Sequence, residues 1–202
     1  MPIATHASPH VVEEEIKRSR FITYVAHTPS IASAKAFVEH IKHIHSDARH
    51  NCWAFNAGAP NSTMLLGCSD DGEPSGTAGR PMLAQLCGSD VGEITAVCAR
   101  YFGGTKLGTG GLVKAYGGGV KLALSKLETK VKIPMTAVSF ECSYQDQNIV
   151  DALLNETEHE KLNTTFNSTI IMDTHIESAS VAQILDQIKN ATQGRVMGKV
   201  KD

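Results

Sequence analysis

Glycine is concentrated in one part of this 202-residue chain: fifteen of its seventeen glycines lie between Gly58 and Gly119. More than half of them fall in two loops, 70–79 and 102–111, and each loop joins a stretch with strand character to a stretch with helix character. Glycine permits left-handed backbone and close approach of neighbouring chain segments. The pattern therefore predicts two tight strand-to-helix junctions in the first two thirds of the chain.

Charge divides the chain near the end of this region. Residues 136–202 carry 5 Lys and Arg against 10 Asp and Glu, whereas residues 1–135 carry 14 against 11. Pro134 follows a polar stretch, and proline favours an extended linker because it has no N–H to donate and biases the preceding residue away from helix. We expect an α+β protein of two domains, residues 1–133 and 134–202, with different surfaces.

Hydrophobic periodicity predicts the elements of each domain. The first should contain strands 20–26, 51–57, 64–69 and 93–101, a helix capped by Thr28 that carries the apolar positions from 31 to 44, and helices 81–87 and 112–127. The second should contain strand 138–144, helix 147–155, strands 161–166 and 168–176, a helix capped by Ser180, and strand 195–200. This order, β-α-β-β-α-β, is ferredoxin-like.

Composition restricts the class of protein. A chain with 42% hydrophobic and 20% charged residues is typical of a globular fold. No apolar run reaches the length of a membrane span, and no signal peptide is recognised, so we expect a cytoplasmic protein with no membrane partner. The cysteines form no Cys-x-x-Cys pair and are expected to be reduced; they are Cys52, Cys68, Cys87, Cys98 and Cys142.

The two glycine-rich junctions have the chemistry of an anion site. Unpaired N–H groups and the positive end of the helix dipole favour a phosphate at a helix start. The candidate anion or nucleic-acid ligands are Ser75, Gly76, Thr77, Gly79, Arg80, Arg100, Gly103, Gly104, Thr105, Lys106, Gly108, Thr109, Gly110 and Lys114. Neither a Walker A loop nor a dinucleotide fingerprint fits the spacing. The alternative is that these glycines only permit tight turns and helix packing.

Three carboxylates in the first loop suggest a metal. Asp70, Asp71 and Glu73 are hard oxygen ligands that could hold Mg²⁺ beside a phosphate. The alternative is an acidic turn whose carboxylates accept hydrogen bonds from nearby backbone N–H groups. No other cofactor is expected. The histidines at 40, 43, 45 and 50, which precede Cys52, lack the paired spacing of a zinc site. Those at 40, 43 and 45 are expected to be exposed at a helix end.

Catalytic motifs are lacking. The Gly-x-Ser-x-Gly elbow of the Ser-His-Asp hydrolases is absent, and no nucleophile–base pair is recognisable, which favours binding over catalysis. Trp53 is the only tryptophan and aromatic residues are few, so a base-stacking sheet of the RNA-recognition type is not expected.

The segments 70–81 and 100–116 resemble the signature stretches of the IMPACT family, and 12–22 and 47–52 are similar to it as well. The second domain resembles the small C-terminal domain of the bacterial members. The resemblance implies a first domain like the second domain of ribosomal protein S5 and a second domain like a late domain of the translocation elongation factor. Eukaryotic relatives regulate translation by restraining a stress-responsive kinase, through a partner and an added N-terminal domain, so that mechanism is not expected to carry over.

Two functions remain open from the sequence. One is a translation-related binding protein that contacts RNA, the ribosome or a translation factor through the glycine-rich loops. The other is a Mg²⁺-dependent enzyme that acts on a phosphorylated or nucleotide substrate. The net charge of −2 argues against strong non-specific affinity for nucleic acid.

Overall fold

Residues 1–5 and 8–201 are described by a computed structural model of the chain. They contain five helices and several β-sheets, which confirms the α+β class. The chain divides into two compact units: the first is Met1–Lys132 and the second begins at Ile133. The boundary predicted from charge and Pro134 lies one residue from this division.

The first unit is built on a five-stranded antiparallel sheet with the strand order β2-β3-β6-β4-β5. Strands β1 and β7 form a separate antiparallel pair. The elements are β1 (Pro2–Ala4), β2 (His10–Ile16), β3 (Ser19–His27), α1 (Ile31–Ile44), β4 (His50–Asn56), β5 (Leu66–Ser69), α2 (Gly79–Cys87), β6 (Ile94–Tyr101), α3 (Thr109–Lys126) and β7 (Thr129–Val131).

Helices cover both faces of this sheet. Alternation along the central strand β6 sends Ala96 and Cys98 into the cluster that packs against α2 and α3. Val97 points to the other face, where it packs with Val38 and Ile41 of α1. β6 is therefore buried on both faces, and this packing fixes the positions at which the strand joins the loops before and after it.

Helix α1 begins differently from the prediction. Ser30 is the N-cap: its Oγ accepts from the N–H of Ser33 at 3.1 Å, and the Ser33 Oγ accepts from the N–H of Ser30 at 3.0 Å. This capping box makes the predicted cap at Thr28 wrong. The Thr28 hydroxyl is instead buried and lies 2.6 Å from the hydroxyl of Thr95.

The histidines near the end of α1 differ from one another. His40 and His43 are exposed, as predicted. His45 is buried, and its two ring nitrogens lie 2.7 Å from the hydroxyl of Tyr24 and 2.8 Å from that of Tyr101. The exposure predicted for His45 is therefore wrong, because the ring is used to join α1 to the sheet.

The second unit has the predicted order of elements. They are β8 (Met135–Cys142), α4 (Gln147–Leu154), β9 (His159–Phe166), β10 (Ile170–Glu177), α5 (Val181–Ala191) and β11 (Gly198–Val200), and the antiparallel sheet has the order β11-β8-β10-β9. Ser180 is at the N-cap of α5, but its side chain does not bond to the helix; its hydroxyl lies 3.0 Å from a carboxylate oxygen of Glu177.

Across residues 1–5 and 8–201, no helix combines the length and the apolar composition that crossing a bilayer requires.

The loop from β6 to α3 depends on one close approach of the backbone. A Cβ atom at Gly103 would overlap the carbonyl group of Arg18 in the β2–β3 turn. A Cβ atom at Gly110, in the first turn of α3, would meet nothing within 4 Å.

We therefore expect Gly103→Ala to lower the free energy of unfolding by about 1–3 kcal/mol, the usual cost of overpacking. Gly110→Ala is the matched control and should be neutral or slightly stabilising, since alanine is the better helix former. Urea unfolding of the two variants measures the difference. Equal stabilities would contradict the close approach at Gly103.

Candidate functional site

The first glycine-rich junction is filled by the protein's own carboxylate. Asp70 follows β5, and its side chain accepts hydrogen bonds from the N–H groups of Gly76 at 2.8 Å, Ala78 at 2.9 Å and Gly79 at 2.8 Å. Partial burial of the carboxyl group opposes its ionisation, but these three bonds outweigh that effect and hold the pKa of Asp70 below its ordinary value. Asp70 therefore neutralises the positive end of α2.

The backbone N–H groups predicted to bind an anion at this junction already donate hydrogen bonds within the chain. Gly76 and Gly79 donate to Asp70, and the N–H of Thr77 donates to the carbonyl of Pro74 at 3.0 Å. The Arg80 side chain is exposed on α2, outside the cavity described below. The first loop thus behaves as the acidic turn that the sequence left open as an alternative.

Asp71 fastens the same loop to two other elements. Its carboxylate accepts from the N–H of Asn51 in β4 at 2.8 Å and from Nζ of Lys42 in α1 at 3.3 Å. Its carbonyl accepts from Nδ1 of His50 at 2.8 Å. The backbone of Asp71 has a positive φ of 42°, which these contacts hold in place.

Glu73 lies deeper and joins the first loop to the second junction. One oxygen, Oε1, accepts from Nη1 of Arg100 at 2.5 Å and from the hydroxyl of Tyr116 at 2.7 Å. The side chains of Glu73 and Arg100 are only 4% and 8% exposed. Burial raises the pKa of Tyr116, so its hydroxyl remains a donor at neutral pH.

The three predicted metal ligands do not converge. Asp70 binds backbone N–H groups, Asp71 binds Asn51 and a lysine, and Glu73 binds Arg100 and a tyrosine. In the described ranges 1–5 and 8–201, no three His, Cys, Asp or Glu side chains are grouped so as to hold a metal ion. Mg²⁺ binding by these carboxylates stays a prediction, and each of the three accepts at least one hydrogen bond from within the chain.

A cavity of about 410 Å³ opens at the second junction. Three cations, Arg49, Arg100 and Lys106, contribute to its wall together with the start of α3 at Gly108 and Thr109. The remaining wall includes Glu73, His50 and four residues with apolar surface, which are Pro74, Phe102, Leu107 and Leu112. The cavity therefore lies between the two loops that the sequence singled out.

The start of α3 differs from the start of α2 in lacking a cap. Gly108 is the N-cap with a φ of 77°, a conformation that suits glycine, and none of the described side chains caps the helix. The first N–H of the helix with a backbone partner is that of Leu112, which donates to the carbonyl of Gly108 at 3.0 Å. The donors of the first turn are thus left for solvent or a ligand.

The cations at the cavity have different roles. Arg100 is paired with Glu73, and its Cζ lies 5.4 Å from the ring centroid of Phe21 and 5.7 Å from that of Phe102. Its Nε is buried and has no hydrogen-bond partner among the described residues. Arg49 and Lys106 are exposed and pair with no carboxylate in the part of the chain that the structure describes. These two cations are free to meet an anion.

The structure brings together only part of the predicted anion set. Arg100, Lys106, Gly108 and Thr109 line the cavity. Lys114 lies on the outer side of α3, in a separate groove. The wall of the cavity does not include four predicted residues of the second loop and first helical turn, which are Gly103, Gly104, Thr105 and Gly110. Ser75 is exposed in the first loop.

Six residues of the cavity wall were not among the predicted ligands: Arg49, His50, Pro74, Phe102, Leu107 and Leu112. Arg49 lies within the stretch 47–52, which was singled out only for its family resemblance, and His50 was otherwise considered only as a zinc ligand. Phe102 directly follows β6 and is 47% exposed. The signal available was its place in the second loop, where an aromatic residue precedes the glycines.

Comparison with known proteins identifies the family. The Impact N-terminal domain model matches residues 17–124. The chain is 50% identical over 188 residues to the IMPACT family member YigZ of Escherichia coli, covering 93% of this chain and 92% of that protein. This chain belongs to the IMPACT family. An IMPACT family member of Haemophilus influenzae is 45% identical over 187 residues, covering 93% of this chain and 91% of the relative.

A solved structure is also similar to this chain. A crystal structure described as that of "an hypothetical protein" matches with a TM-score of 0.73 and 47% sequence identity. The match covers 100% of this chain and 97% of the other. The matched IMPACT domain, residues 17–124, contains both glycine-rich loops and the whole wall of the cavity.

The role of Asp70 can be tested through pH. Asp70→Asn should lower the free energy of unfolding at pH 7 by about 1.5–3 kcal/mol, as expected for hydrogen bonds to a charged acceptor. Because the folded pKa of Asp70 is below its unfolded value, its stabilisation is complete above about pH 4 and is lost as pH falls through the folded pKa. The gap between wild type and variant should therefore narrow on acidification.

Urea unfolding at pH 7 and at several values below 4 measures this gap. Asp90→Asn, a change at an exposed position after α2, is the matched control and should change stability little. A gap for Asp70→Asn that stays constant with pH would contradict the assigned role of the carboxylate.

Proposed function

We propose that this IMPACT-family protein binds RNA through the cavity at the start of α3, in a role connected with translation. The observation that carries the proposal is the uncapped start of α3 in one cavity with two cations, Arg49 and Lys106, that pair with no carboxylate among residues 1–5 and 8–201. Phosphate is the anion that such a site suits, since helix N–H donors and side-chain cations act on it together.

The charges at the cavity favour a phosphate. Glu73 is the acidic residue of the wall, and its charge is balanced by Arg100 at 2.5 Å. Arg49 and Lys106 then give the cavity a positive excess, which the dipole of the 18-residue helix α3 increases. The first junction has no such excess because Asp70 neutralises it.

The family resemblance supports RNA as the bearer of the phosphate. It implies a first domain like the second domain of ribosomal protein S5 and a ferredoxin-like second domain like one of the translocation elongation factor, both of which occur in ribosome-associated proteins. The strand order β11-β8-β10-β9 is in keeping with the second expectation. The alternative, a Mg²⁺-dependent enzyme, has less support, since each of its three metal ligands has another partner.

Few phosphate contacts are expected, and affinity should be moderate. The chain carries a net charge of −2, and only two exposed cations line the cavity. Each neutralised phosphate of a single strand contributes about −0.7 to the slope of log affinity against log salt. The number of contacts can therefore be counted from the salt dependence.

For a short single-stranded RNA, Lys106→Ala and Arg49→Ala should each make the slope of log affinity against log salt less negative by about 0.7. Lys114→Ala is the matched control, because Lys114 is an exposed cation on the same helix but outside the cavity. Fluorescence anisotropy with a labelled oligonucleotide at 50 to 200 mM salt measures the slopes.

Equal effects of Lys106→Ala and Lys114→Ala would place the phosphate contacts elsewhere, and an affinity insensitive to salt would remove the proposal. Arg100→Ala is not a clean test of phosphate contact. It would leave the Glu73 carboxylate buried without its partner, at a cost of about 3–5 kcal/mol.

A further inference from the structure

We propose that the cavity holds a single unpaired nucleotide, with its base stacked on Phe102 and its phosphate at the start of α3. This inference rests on the proposed RNA binding and adds to it that the protein recognises a single strand or a strand end. Three observations carry it: an exposed aromatic ring, a buried guanidinium nitrogen without an acceptor, and two chemically different parts of one cavity wall.

The aromatic ring comes from the geometry of β6. Phe102 directly follows the strand, and its contact with Arg100 places its ring on the side of the sheet to which Arg100 projects. Phe102 is 47% exposed in the cavity wall and is absent from the hydrophobic core of the unit. The Arg100 guanidinium lies 5.7 Å from its ring centroid and supports it by a cation–π contact.

The polar groups beside this ring are incompletely satisfied. The Nε of Arg100 is buried without an acceptor, although the side chain is only 8% exposed. Glu73 receives both of its hydrogen bonds on Oε1, and no described residue donates to its Oε2. Buried polar groups are normally hydrogen-bonded, so a ligand that brings an acceptor to Arg100 Nε would complete this corner, and a donor on the same ligand could bond to Oε2 of Glu73.

The two parts of the wall suit different parts of one ligand. Around Lys106, Gly108 and Thr109 the wall offers cations and helix N–H donors, which suit a phosphate. Around Glu73 a phosphate would meet a carboxylate, whereas the edge of a base or a ribose hydroxyl can donate to it. A free phosphate would satisfy only the first part, but a nucleotide satisfies both.

Size and stacking restrict the nucleotide further. A volume of about 410 Å³ lies within the range of roughly 300–1,000 Å³ for sites that enclose one small molecule. A base within a duplex has both faces covered by its neighbours, so Phe102 can stack only on a base that is unpaired or terminal. The site is therefore expected to distinguish single-stranded from duplex RNA.

The test uses the full chain, a labelled single-stranded octamer of adenylate, and a blunt duplex of the same length. Phe102→Ala should weaken binding of the octamer on the order of ten-fold, the usual effect of losing one base–aromatic stack. Phe102→Tyr keeps the ring and should retain the affinity. Phe166→Ala, which removes an exposed phenylalanine of the second unit, is the matched control and should change nothing.

The duplex should bind more weakly than the octamer, because only its terminal base pairs offer a free face to Phe102, and Phe102→Ala should weaken its binding less than that of the octamer. Phe102→Leu gives a second measure of the ring, with an expected loss of affinity, should the alanine variant fold poorly. If Phe102→Ala and Phe102→Leu left the octamer affinity unchanged while Lys106→Ala still weakened binding, the nucleotide site would be overturned but RNA binding would remain. Failure of every RNA to bind the wild type would overturn both.

Discussion

The buried ion pair between Glu73 and Arg100 is the interaction on which the site depends. Arg100 is near the end of the central strand, Glu73 is on the first loop, and Tyr116 of α3 donates to the same carboxylate oxygen. Taking two charges out of water is costly, and the cost is offset only when the pair stays intact. The pair therefore fixes the first loop, the last part of β6 and α3 in one arrangement, and the cavity is the space left between them.

The two helix starts show how the same kind of loop gives opposite outcomes. Both loops are rich in glycine and both end in a helix, but the first contains acidic residues and the second contains none between Phe102 and Gly111. Asp70 folds back onto α2 and takes its free N–H groups, whereas α3 is left with an uncapped first turn and Lys106 nearby. The Asp70 carboxylate therefore occupies the potential anion site at the start of α2, whereas the start of α3 has no such carboxylate among the described residues and stays open.

Hydrophobic periodicity and turn residues were enough to predict most of the secondary structure of the chain. The strands and helices around both loops were found, but the edge strand β2 was not, because its three consecutive glutamates hide the alternation. The second junction was predicted as a glycine-rich helix start with the cations Arg100 and Lys106 nearby. Arg100 is instead paired with Glu73, and because the two positions lie 27 residues apart, this pair leaves no local pattern. The exposure of Phe102 likewise follows from tertiary packing and could not be read from spacing.

The most direct measurement is a ¹H–¹⁵N NMR titration of the full chain with single-stranded RNA, which reports backbone amides and the Nε–H of arginine together. If the cavity is the binding site, the amides of Thr109 and Gly110 and the Nε–H of Arg100 should shift with the same affinity. The indole signal of Trp53, which packs near α1, should stay in place. The account would be contradicted if, at saturation, only residues outside the cavity shifted and the signals of Thr109, Gly110 and Arg100 did not move.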